Sequence, residues 1–307
     1  MRQEIIKSNC PFCGEPTYFK QEDGTFCCFS CFKNGSDLVS EMCGLKEPTE
    51  QSKILDDAAS YFSKSLWKCG YASKRGLNKN IAARFRLGYA DGTLANYLLK
   101  KNYSKEEIVA AGLAKQMTDG SLTDVFKRRL IFPIMTSQGV IVGFGGRKID
   151  DLSPAPKYLN SIETDIFFKK NHLYGLNDCK KFTTIYLVEG YMDVVSLHKA
   201  GVTNAVAALG TAVGKNHALL LKGLGTKRVV IALDNDEAGQ KAIKRAIPIL
   251  KEYFEIEVLS MQTGYKDADE YLKDHTSEEF YNLKTIPANE FLLKNSALDI
   301  DTILATL

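Results

Sequence analysis

The chain has 307 residues, of which 45% are hydrophobic and 25% charged, as expected for a globular protein with two or three domains. That composition excludes a disordered chain, and no run of about 18 apolar residues is present that could span a membrane. The N-terminal residues lead into a cysteine motif without an apolar signal segment, so we expect a cytoplasmic protein with no membrane partner.

The net charge of +3 is unevenly distributed along the chain. Residues 53–150 have a net charge of +9, whereas residues 1–52 and 151–307 each have −3. The basic middle segment predicts a surface for a polyanion, and the acidic segment after it predicts a cation site. Ordinary solvated Lys and Arg side chains are the alternative explanation of the basic segment.

Residues 1–43 contain two Cys-x2-Cys pairs, each of which can place two thiolates on one tight turn. Four thiolates form the tetrahedral site that zinc prefers, so this segment predicts a zinc ribbon stapled by one structural Zn²⁺. The predicted ligands are Cys10, Cys13, Cys28 and Cys31. Cys27 is a rival ligand, but only Cys28 completes a Cys-x2-Cys turn with Cys31. A polar linker follows over residues 44–52.

Residues 53–178 begin with helical periodicity and change to strand-like runs near residue 130. The pattern predicts helices over residues 54–67, 78–86, 93–101 and 104–112. It also predicts a hairpin of two strands over residues 130–135 and 140–144. We interpret the segment as a mixed α/β subdomain.

Residues 179–275 alternate short apolar strands with helices, which is typical of a small parallel sheet with helices on its faces. The predicted strands cover residues 185–188, 205–208, 229–233 and 256–259. The predicted helices cover residues 191–200, 215–223 and 237–253, and residues 276–307 are predicted to be helical as well. The fold class is therefore α/β locally and α+β overall.

Acidic residues follow three of these strands: Glu189, Asp193, Asp234, Asp236, Asp267 and Asp269. Because the carboxyl ends of parallel strands share one edge of a sheet, we expect these side chains to converge in one crevice. Clustered carboxylates repel one another, and oxygen-rich sites select Mg²⁺ or Mn²⁺. A helix N-cap is the alternative role, for which Asp236 and Asp269 are the best placed.

Several motifs resemble those of bacterial-type (DnaG-like) DNA primases. The acidic residues lie in segments that resemble the Toprim domain: Val188–Asp193, Asp234–Asp236 and Asp267–Asp269. The upstream segments resemble the primase polymerase domain: Arg75–Leu77, Arg84–Tyr89, Ala111–Leu113, Arg128–Pro133, Gly143–Arg147 and Pro156–Ser161. The cysteine segment resembles the zinc-binding module of the same family, so the resemblance covers about residues 8–275.

The resemblance implies a DNA-templated RNA polymerase that synthesises short RNA primers de novo on single-stranded DNA. The substrates would be ribonucleoside triphosphates, joined by metal-dependent nucleotidyl transfer. It implies Mg²⁺ or Mn²⁺ held chiefly by Glu189, Asp234 and Asp236, with support from Asp193, Asp267 and Asp269. It also implies template or nucleotide contacts from polar residues of the polymerase domain: Arg147, Lys157, Arg84, Arg129 and Asn160.

Three features depart from the family pattern. Cys13 takes a place where many members carry a histidine, and Ala268 takes a place where proline is usual. The sequence also ends 38 residues after Asp269, whereas cellular members carry a further helical domain that contacts the replicative helicase. We therefore expect either that helicase recruitment is lost or that another chain supplies the contact, and a compact primase of this kind fits a phage or another mobile element.

Two other functions remain as alternatives. A Toprim-type nuclease would use the same acidic residues for cleavage, although the segment over residues 75–161 resembles primases specifically. A non-catalytic single-stranded DNA-binding replication protein would keep the fold, although all the acidic residues named above are present.

Overall fold

A computed structural model describes residues 49–150, 154–179, 182–210 and 212–295, together with the backbone of three short strands nearer the N-terminus. The chain divides into two compact units, Met1–Asn177 and Asp178–Leu307. Both units combine helices with β-sheet, as the sequence predicts. Within the described residues, no helix is long and apolar enough to cross a membrane.

Three N-terminal strands form an antiparallel meander: β1 (Ile6–Ser8), β2 (Tyr18–Lys20) and β3 (Phe26–Cys28). The middle strand β2 pairs with both of its neighbours. The predicted zinc ligands Cys10, Cys13 and Cys31 lie outside the described residues, and so does the side chain of Cys28. The zinc site therefore stays a prediction.

The rest of the first unit contains a group of helices and an antiparallel sheet. The helices are α1 (Glu50–Ser65), α2 (Tyr71–Lys74), α3 (Lys79–Arg84), α4 (Leu94–Lys100) and α5 (Lys105–Ala110). The strands are β4 (Gly88–Ala90), β5 (Ala114–Gln116), β6 (Leu122–Asp124), β7 (Arg129–Met135), β8 (Ile141–Lys148), β9 (Tyr158–Asn160) and β10 (Leu173–Tyr174). The antiparallel sheet has the order β4-β7-β8-β9, and β5 pairs with β6 in a separate hairpin.

Helix α1 packs closely against this antiparallel sheet. Thr49 caps the helix, because its side-chain oxygen accepts a hydrogen bond from the Ser52 N–H at 3.1 Å. Apolar residues at helical spacing, including Phe62, are buried on one face of the helix. A Cβ atom at Gly88 on β4 would lie only 2.4 Å from the Phe62 Cβ, so only glycine allows the strand to approach the helix this closely.

The second unit is built around a mainly parallel sheet. Its helices are α6 (Tyr191–Ala200), α7 (Lys215–Gly223), α8 (Glu237–Leu250), α9 (Ala268–Tyr271), α10 (Ser277–Tyr281) and α11 (Ala288–Lys294). Its strands are β11 (Thr184–Val188), β12 (Ala205–Ala208), β13 (Arg228–Ile231), β14 (Glu255–Leu259) and β15 (Thr285–Pro287). They lie in the order β12-β11-β13-β14-β15.

The four strands β11 to β14 are parallel, which confirms the predicted parallel sheet. Strand β11 is central and β12 is buried along its whole length, as expected for strands covered by helices on both faces. All four strands therefore direct their carboxyl ends to the same edge of the sheet, and the acidic motifs follow β11, β13 and β14.

Some elements differ from the sequence-based expectation. Strand β13 ends at Ile231 rather than at residue 233. The predicted helical segment 276–307 is interrupted by β15, which pairs antiparallel with β14 and places Ile286 opposite Val258. The short Thr-Ile-Pro sequence carries too little periodicity to reveal a strand without its partner.

Candidate active site

The backbone brings two acidic motifs to the same place at the edge of the parallel sheet. Leu187 of β11 lies opposite Ile231 of β13, and the Leu187 carbonyl accepts a hydrogen bond from the Ala232 N–H at 2.8 Å. Glu189 follows two residues after Leu187, and Asp234 follows two residues after Ala232. Adjacent strands therefore position these two carboxylates side by side.

Glu189 directly follows β11 at this edge of the sheet. Its carboxylate accepts a hydrogen bond from the Asp234 backbone N–H. Desolvation raises the pKa of Glu189, and the negative charges of Asp234 and Asp236 raise it further. A positive charge placed among these groups would be favourable, since it would relieve the repulsion that the raised pKa reflects.

Asp234 and Asp236 share one cation in the structure. The ammonium of Lys266 lies 3.1 Å from Asp234 Oδ2 and 3.1 Å from Asp236 Oδ2. Asp236 also caps α8, because its Oδ1 accepts a hydrogen bond from the Gly239 N–H at 2.9 Å. The Gly239 N–H and then Lys266 lower the pKa of Asp236. The N-cap role predicted for Asp236 is thus present together with the ion pair.

Gly239 fixes the turn that carries Asp234. A Cβ atom at this position would lie 1.9 Å from the Asp234 carbonyl oxygen, which no side chain can tolerate. The first turn of α8 therefore packs directly on the backbone of the acidic motif. This contact holds Asp234 and Asp236 in one arrangement.

Asp193 is buried and links two motifs. Its Oδ2 accepts a hydrogen bond from the Gly190 N–H at 3.0 Å, and its Oδ1 accepts one from the Asp269 N–H at 3.2 Å. Burial, followed by the nearby charge of Asp267, raises the pKa of Asp193 to about 8. Asp193 therefore joins the start of α6 to the start of α9.

Asp267 and Asp269 lie at the start of α9 in different roles. Asp267 is the N-cap, because its Oδ1 accepts a hydrogen bond from the Glu270 N–H at 2.7 Å. The N-cap role that the spacing assigns to Asp269 is therefore wrong, and Asp269 Oδ1 instead accepts a hydrogen bond from Ser196 Oγ at 2.6 Å. Burial raises the pKa of Asp267, and the charges of Asp234 and Asp269 raise it further.

These donors suit a hard divalent cation. Among the residues that the structure describes, no three His, Cys, Asp or Glu side chains already form a compact metal cluster. Mg²⁺ does not require one, because proteins usually bind it through one or two carboxylates, with water and substrate phosphates as its other ligands. The oxygen-only donor set and the ammonium between Asp234 and Asp236 both fit such an ion.

The predicted nucleic-acid contacts lie in the first unit. The guanidinium carbon of Arg147 on β8 lies 5.8 Å from the ring centre of Tyr71 and 5.8 Å from that of Tyr158. The Lys157 ammonium lies 6.0 Å from the Tyr158 ring centre, and the Lys157 residue is exposed. Aromatic rings with cations beside them suit bases and phosphates of a single strand.

The other three predicted contact residues have different environments. Arg129 is buried, and its Nη1 donates hydrogen bonds to the carbonyl oxygens of Gly146 at 2.9 Å and Pro156 at 3.0 Å. This geometry fixes the loop that carries Lys157. Arg84 is exposed at the end of α3, and Asn160 is half-buried on β9.

Sequence reasoning missed three residues that the structure brings to these sites: Lys266, Ser196 and Tyr71. Lys266 directly precedes Asp267, so its position in the motif was a usable signal. Ser196 follows Asp193 by three residues and therefore shares its helix face. Tyr71 carries no local signal, because its proximity to Arg147 depends on tertiary structure.

Comparison with known proteins identifies two family matches. The model of the DNA primase catalytic core, N-terminal domain, matches residues 62–180, and a Toprim-like model matches residues 186–272. A DNA primase of Clostridium acetobutylicum is 43% identical over 238 residues, which cover 74% of this chain. The chain spans only 39% of the length of that curated relative.

Solved structures show the same similarity. The zinc-binding and RNA polymerase domains of the Aquifex aeolicus primase match with 30% identity and a TM-score of 0.74, covering 99% of this chain and 86% of that one. A DnaG primase catalytic domain bound to single-stranded DNA matches with 31% identity and a TM-score of 0.71, covering 82% of this chain and 86% of that one.

Proposed function

The chain belongs to the family of DnaG-type DNA primases, and we propose that it synthesises short RNA primers de novo on single-stranded DNA. The reaction is a nucleotidyl transfer. The 3′-hydroxyl of one templated ribonucleotide attacks the α-phosphate of the next, the new phosphodiester bond forms, and pyrophosphate leaves. The observation that carries this proposal is the convergence of Glu189, Asp234 and Asp236 at one edge of the parallel sheet.

The carboxylates of this edge would hold the divalent cations. Glu189, Asp234 and Asp236 are the proposed ligands, while Asp193 and Asp269 orient the motifs beneath them. Mg²⁺ or Mn²⁺ bound there would activate the attacking hydroxyl and stabilise the leaving pyrophosphate. No protein nucleophile takes part in this transfer.

The template is proposed to bind the first unit. The guanidinium of Arg147 lies close to the rings of Tyr71 and Tyr158. The Lys157 ammonium also lies close to the Tyr158 ring. The surrounding segment 53–150 has a net charge of +9, so phosphate binding would release counterions and depend strongly on salt. The similarity to a catalytic domain bound to single-stranded DNA supports the same assignment.

The zinc ribbon and the helicase contact belong to this proposal as well. Cys10, Cys13, Cys28 and Cys31 are proposed to bind one structural Zn²⁺, which the match to a primase structure with a zinc-binding domain supports. A replicative helicase is a proposed partner. Ribonucleoside triphosphates are the proposed substrates.

The test is synthesis on an unprimed template. The full chain is incubated with single-stranded DNA of defined sequence, four labelled ribonucleoside triphosphates and Mg²⁺ or Mn²⁺. We expect alkali-labile products that are complementary to the template and absent without DNA. Cleavage of the template without synthesis would favour the nuclease alternative. Binding of DNA without either reaction would favour the non-catalytic alternative.

A further inference from the structure

Lys266 is held in place by its own backbone at the edge of the parallel sheet. Its carbonyl accepts a hydrogen bond from the Asn235 N–H at 2.7 Å. Its N–H donates a hydrogen bond to Glu270 Oε2 at 3.0 Å. The first bond ties the residue to the turn between Asp234 and Asp236, and the second ties it to α9. The side chain therefore starts from a fixed point beside the acidic motif.

The ammonium of Lys266 lies between the carboxylates of Asp234 and Asp236. It is 3.1 Å from one oxygen of Asp234 and 3.1 Å from one oxygen of Asp236. The Asp234 side chain is only 14% exposed, so this charge pair is partly removed from water. Removing one partner from such a pair leaves a desolvated charge, which is unfavourable.

A divalent cation and this ammonium compete for the same oxygens. Asp234 and Asp236 are two of the three proposed ligands of the catalytic metal, and each directs an oxygen to Lys266. A cation bound to these two oxygens would lie at contact distance from the ammonium, where the two positive charges repel each other strongly. Binding of a metal to these oxygens would therefore favour movement of the lysine.

We propose that Lys266 is a built-in counter-ion of the metal site, which holds Asp234 and Asp236 in place without metal and is displaced when a divalent cation binds. Lys266 is a positioning residue, and this role rests on the proposed metal-dependent function of the same site. The consequence is a lower metal affinity than the carboxylates alone would give. The site would then fill most readily when a metal-bound triphosphate adds its own ligands.

Lys241 provides a matched control on the adjacent helix. It lies on α8 and pairs with Glu237 one turn away, at the same helix N-terminus that Asp236 caps. Its side chain is 66% exposed, compared with 51% for Lys266. Within the described part of the chain, Lys241 makes no ion pair with Asp234 or Asp236. Displacement by a metal should therefore affect Lys266 and leave Lys241 unchanged.

The first measurement is lysine acetylation in the full-length wild-type chain, read by mass spectrometry with and without saturating Mn²⁺. The ion pair protects Lys266 from the reagent, so we expect its acetylation rate to rise about fivefold or more when Mn²⁺ binds, as the carboxylates release the ammonium. Lys241 should change less than about twofold. An unchanged rate at Lys266, with Mn²⁺ shown to be bound, would overturn the proposal.

The second measurement is Mn²⁺ affinity by electron paramagnetic resonance in the wild type, Lys266→Met, Lys266→Arg and Lys241→Met. Losing the competing charge should tighten binding about tenfold in Lys266→Met. Lys266→Arg and Lys241→Met should stay near the wild type. Equal affinities in all four would overturn the proposal and leave the metal site intact. Failure of every chain to bind Mn²⁺ would instead refute the proposed metal-dependent function, and this proposal with it.

Discussion

Ser196 shows how a residue outside the acidic motifs positions a carboxylate. Its hydroxyl donates a hydrogen bond to Asp269 Oδ1 at 2.6 Å, and the residue is buried. We expect Ser196→Ala to lower the free energy of unfolding by about 1 kcal/mol, the usual value of one such bond. We also expect the rate of primer synthesis by the folded variant to fall several-fold, because Asp269 loses its orientation.

The measurement for Ser196→Ala combines urea unfolding with primer synthesis at a temperature where the variant is fully folded. Ser196→Thr, which keeps the hydroxyl, should recover most of the activity if it packs without strain. Full activity of the alanine variant would show that the hydrogen bond has no part in the site.

Gly239 provides a second prediction at the residue scale. A Cβ atom there would lie 1.9 Å from the Asp234 carbonyl oxygen, so Gly239→Ala must displace the acidic motif or the start of α8. We expect a loss of about 2 kcal/mol or more in the free energy of unfolding, together with nearly complete loss of synthesis. Differential scanning calorimetry and the synthesis assay would measure the two effects.

Gly214→Ala is the matched control for this substitution. Gly214 directly precedes α7, whereas Gly239 lies in the first turn of α8; Gly214 has a φ of −130° and no atom within 4 Å of an added Cβ. Its replacement should change stability by less than about 1 kcal/mol. If Gly239→Ala were equally mild, close packing of α8 on Asp234 would not be what fixes the motif.

At the scale of elements, Asp57 joins helix α1 to the end of α4. Its carboxylate accepts hydrogen bonds from Lys101 Nζ at 2.6 Å and from Tyr103 Oη at 2.8 Å. Burial alone would raise the pKa of Asp57, but these two bonds outweigh it and lower that pKa below its ordinary value. The stabilisation is therefore present above about pH 4 and is lost as the pH falls through the folded-state pKa.

We expect Asp57→Asn to lower the free energy of unfolding by about 1 kcal/mol at pH 7, since the charged acceptor is lost. The difference from the wild type should shrink as the pH falls through the folded-state pKa, because the wild-type carboxyl then becomes protonated as well. Urea unfolding of both chains at pH 7 and over a series of acidic pH values measures this effect. A difference that stays constant with pH would rule out the charge of Asp57 as its source.

The sequence predicts a helix or strand correctly where the packing of that element agrees with its local hydrophobic pattern. Strands β11 to β13 were predictable because parallel strands covered on both faces form continuous apolar runs. Strand β15 was missed, since three residues reveal a strand only through pairing with β14. The acidic residues were found because each follows a strand, which is a property of the sequence itself.

The remaining details of the site depend on side-chain contacts that sequence spacing does not contain. Asp267 rather than Asp269 caps α9, and the two positions are equally acidic and two residues apart. The sequence places Lys266 next to Asp267, but its ion pair with Asp234 depends on the position of the loop after β14. The sequence predicts that Arg129 contacts nucleic acid. In the structure Arg129 is buried, and its guanidinium donates hydrogen bonds to backbone carbonyl oxygens.

At the scale of the whole molecule, the two units carry different chemistry. The basic segment 53–150 and the set of Arg147, Tyr71 and Tyr158 belong to the first unit. The acidic edge belongs to the second. The proposed function therefore assigns template binding and metal binding to different parts of the chain, so substitutions should affect them independently.

We expect Arg147→Met to weaken binding of single-stranded DNA about tenfold. The slope of log affinity against log salt concentration should fall by about the contribution of one phosphate contact. Tyr71→Ala should weaken binding with little change in that salt dependence, because stacking releases no counterions. Fluorescence anisotropy over a range of salt concentrations measures both. Lys227→Met, an exposed substitution before β13 at the end of the sheet opposite the acidic edge, is the control. Equal effects of all three substitutions would contradict the assignment.

The central claim is that the carboxylates at the edge of the parallel sheet form the catalytic metal centre. Its most direct test is primer synthesis by Glu189→Gln, with Glu237→Gln as a control for an exposed carboxylate on the adjacent α8. We predict a loss of about 100-fold or more for Glu189→Gln, with an unchanged unfolding transition and unchanged DNA affinity. Synthesis by Glu189→Gln at the level of Glu237→Gln would contradict the account.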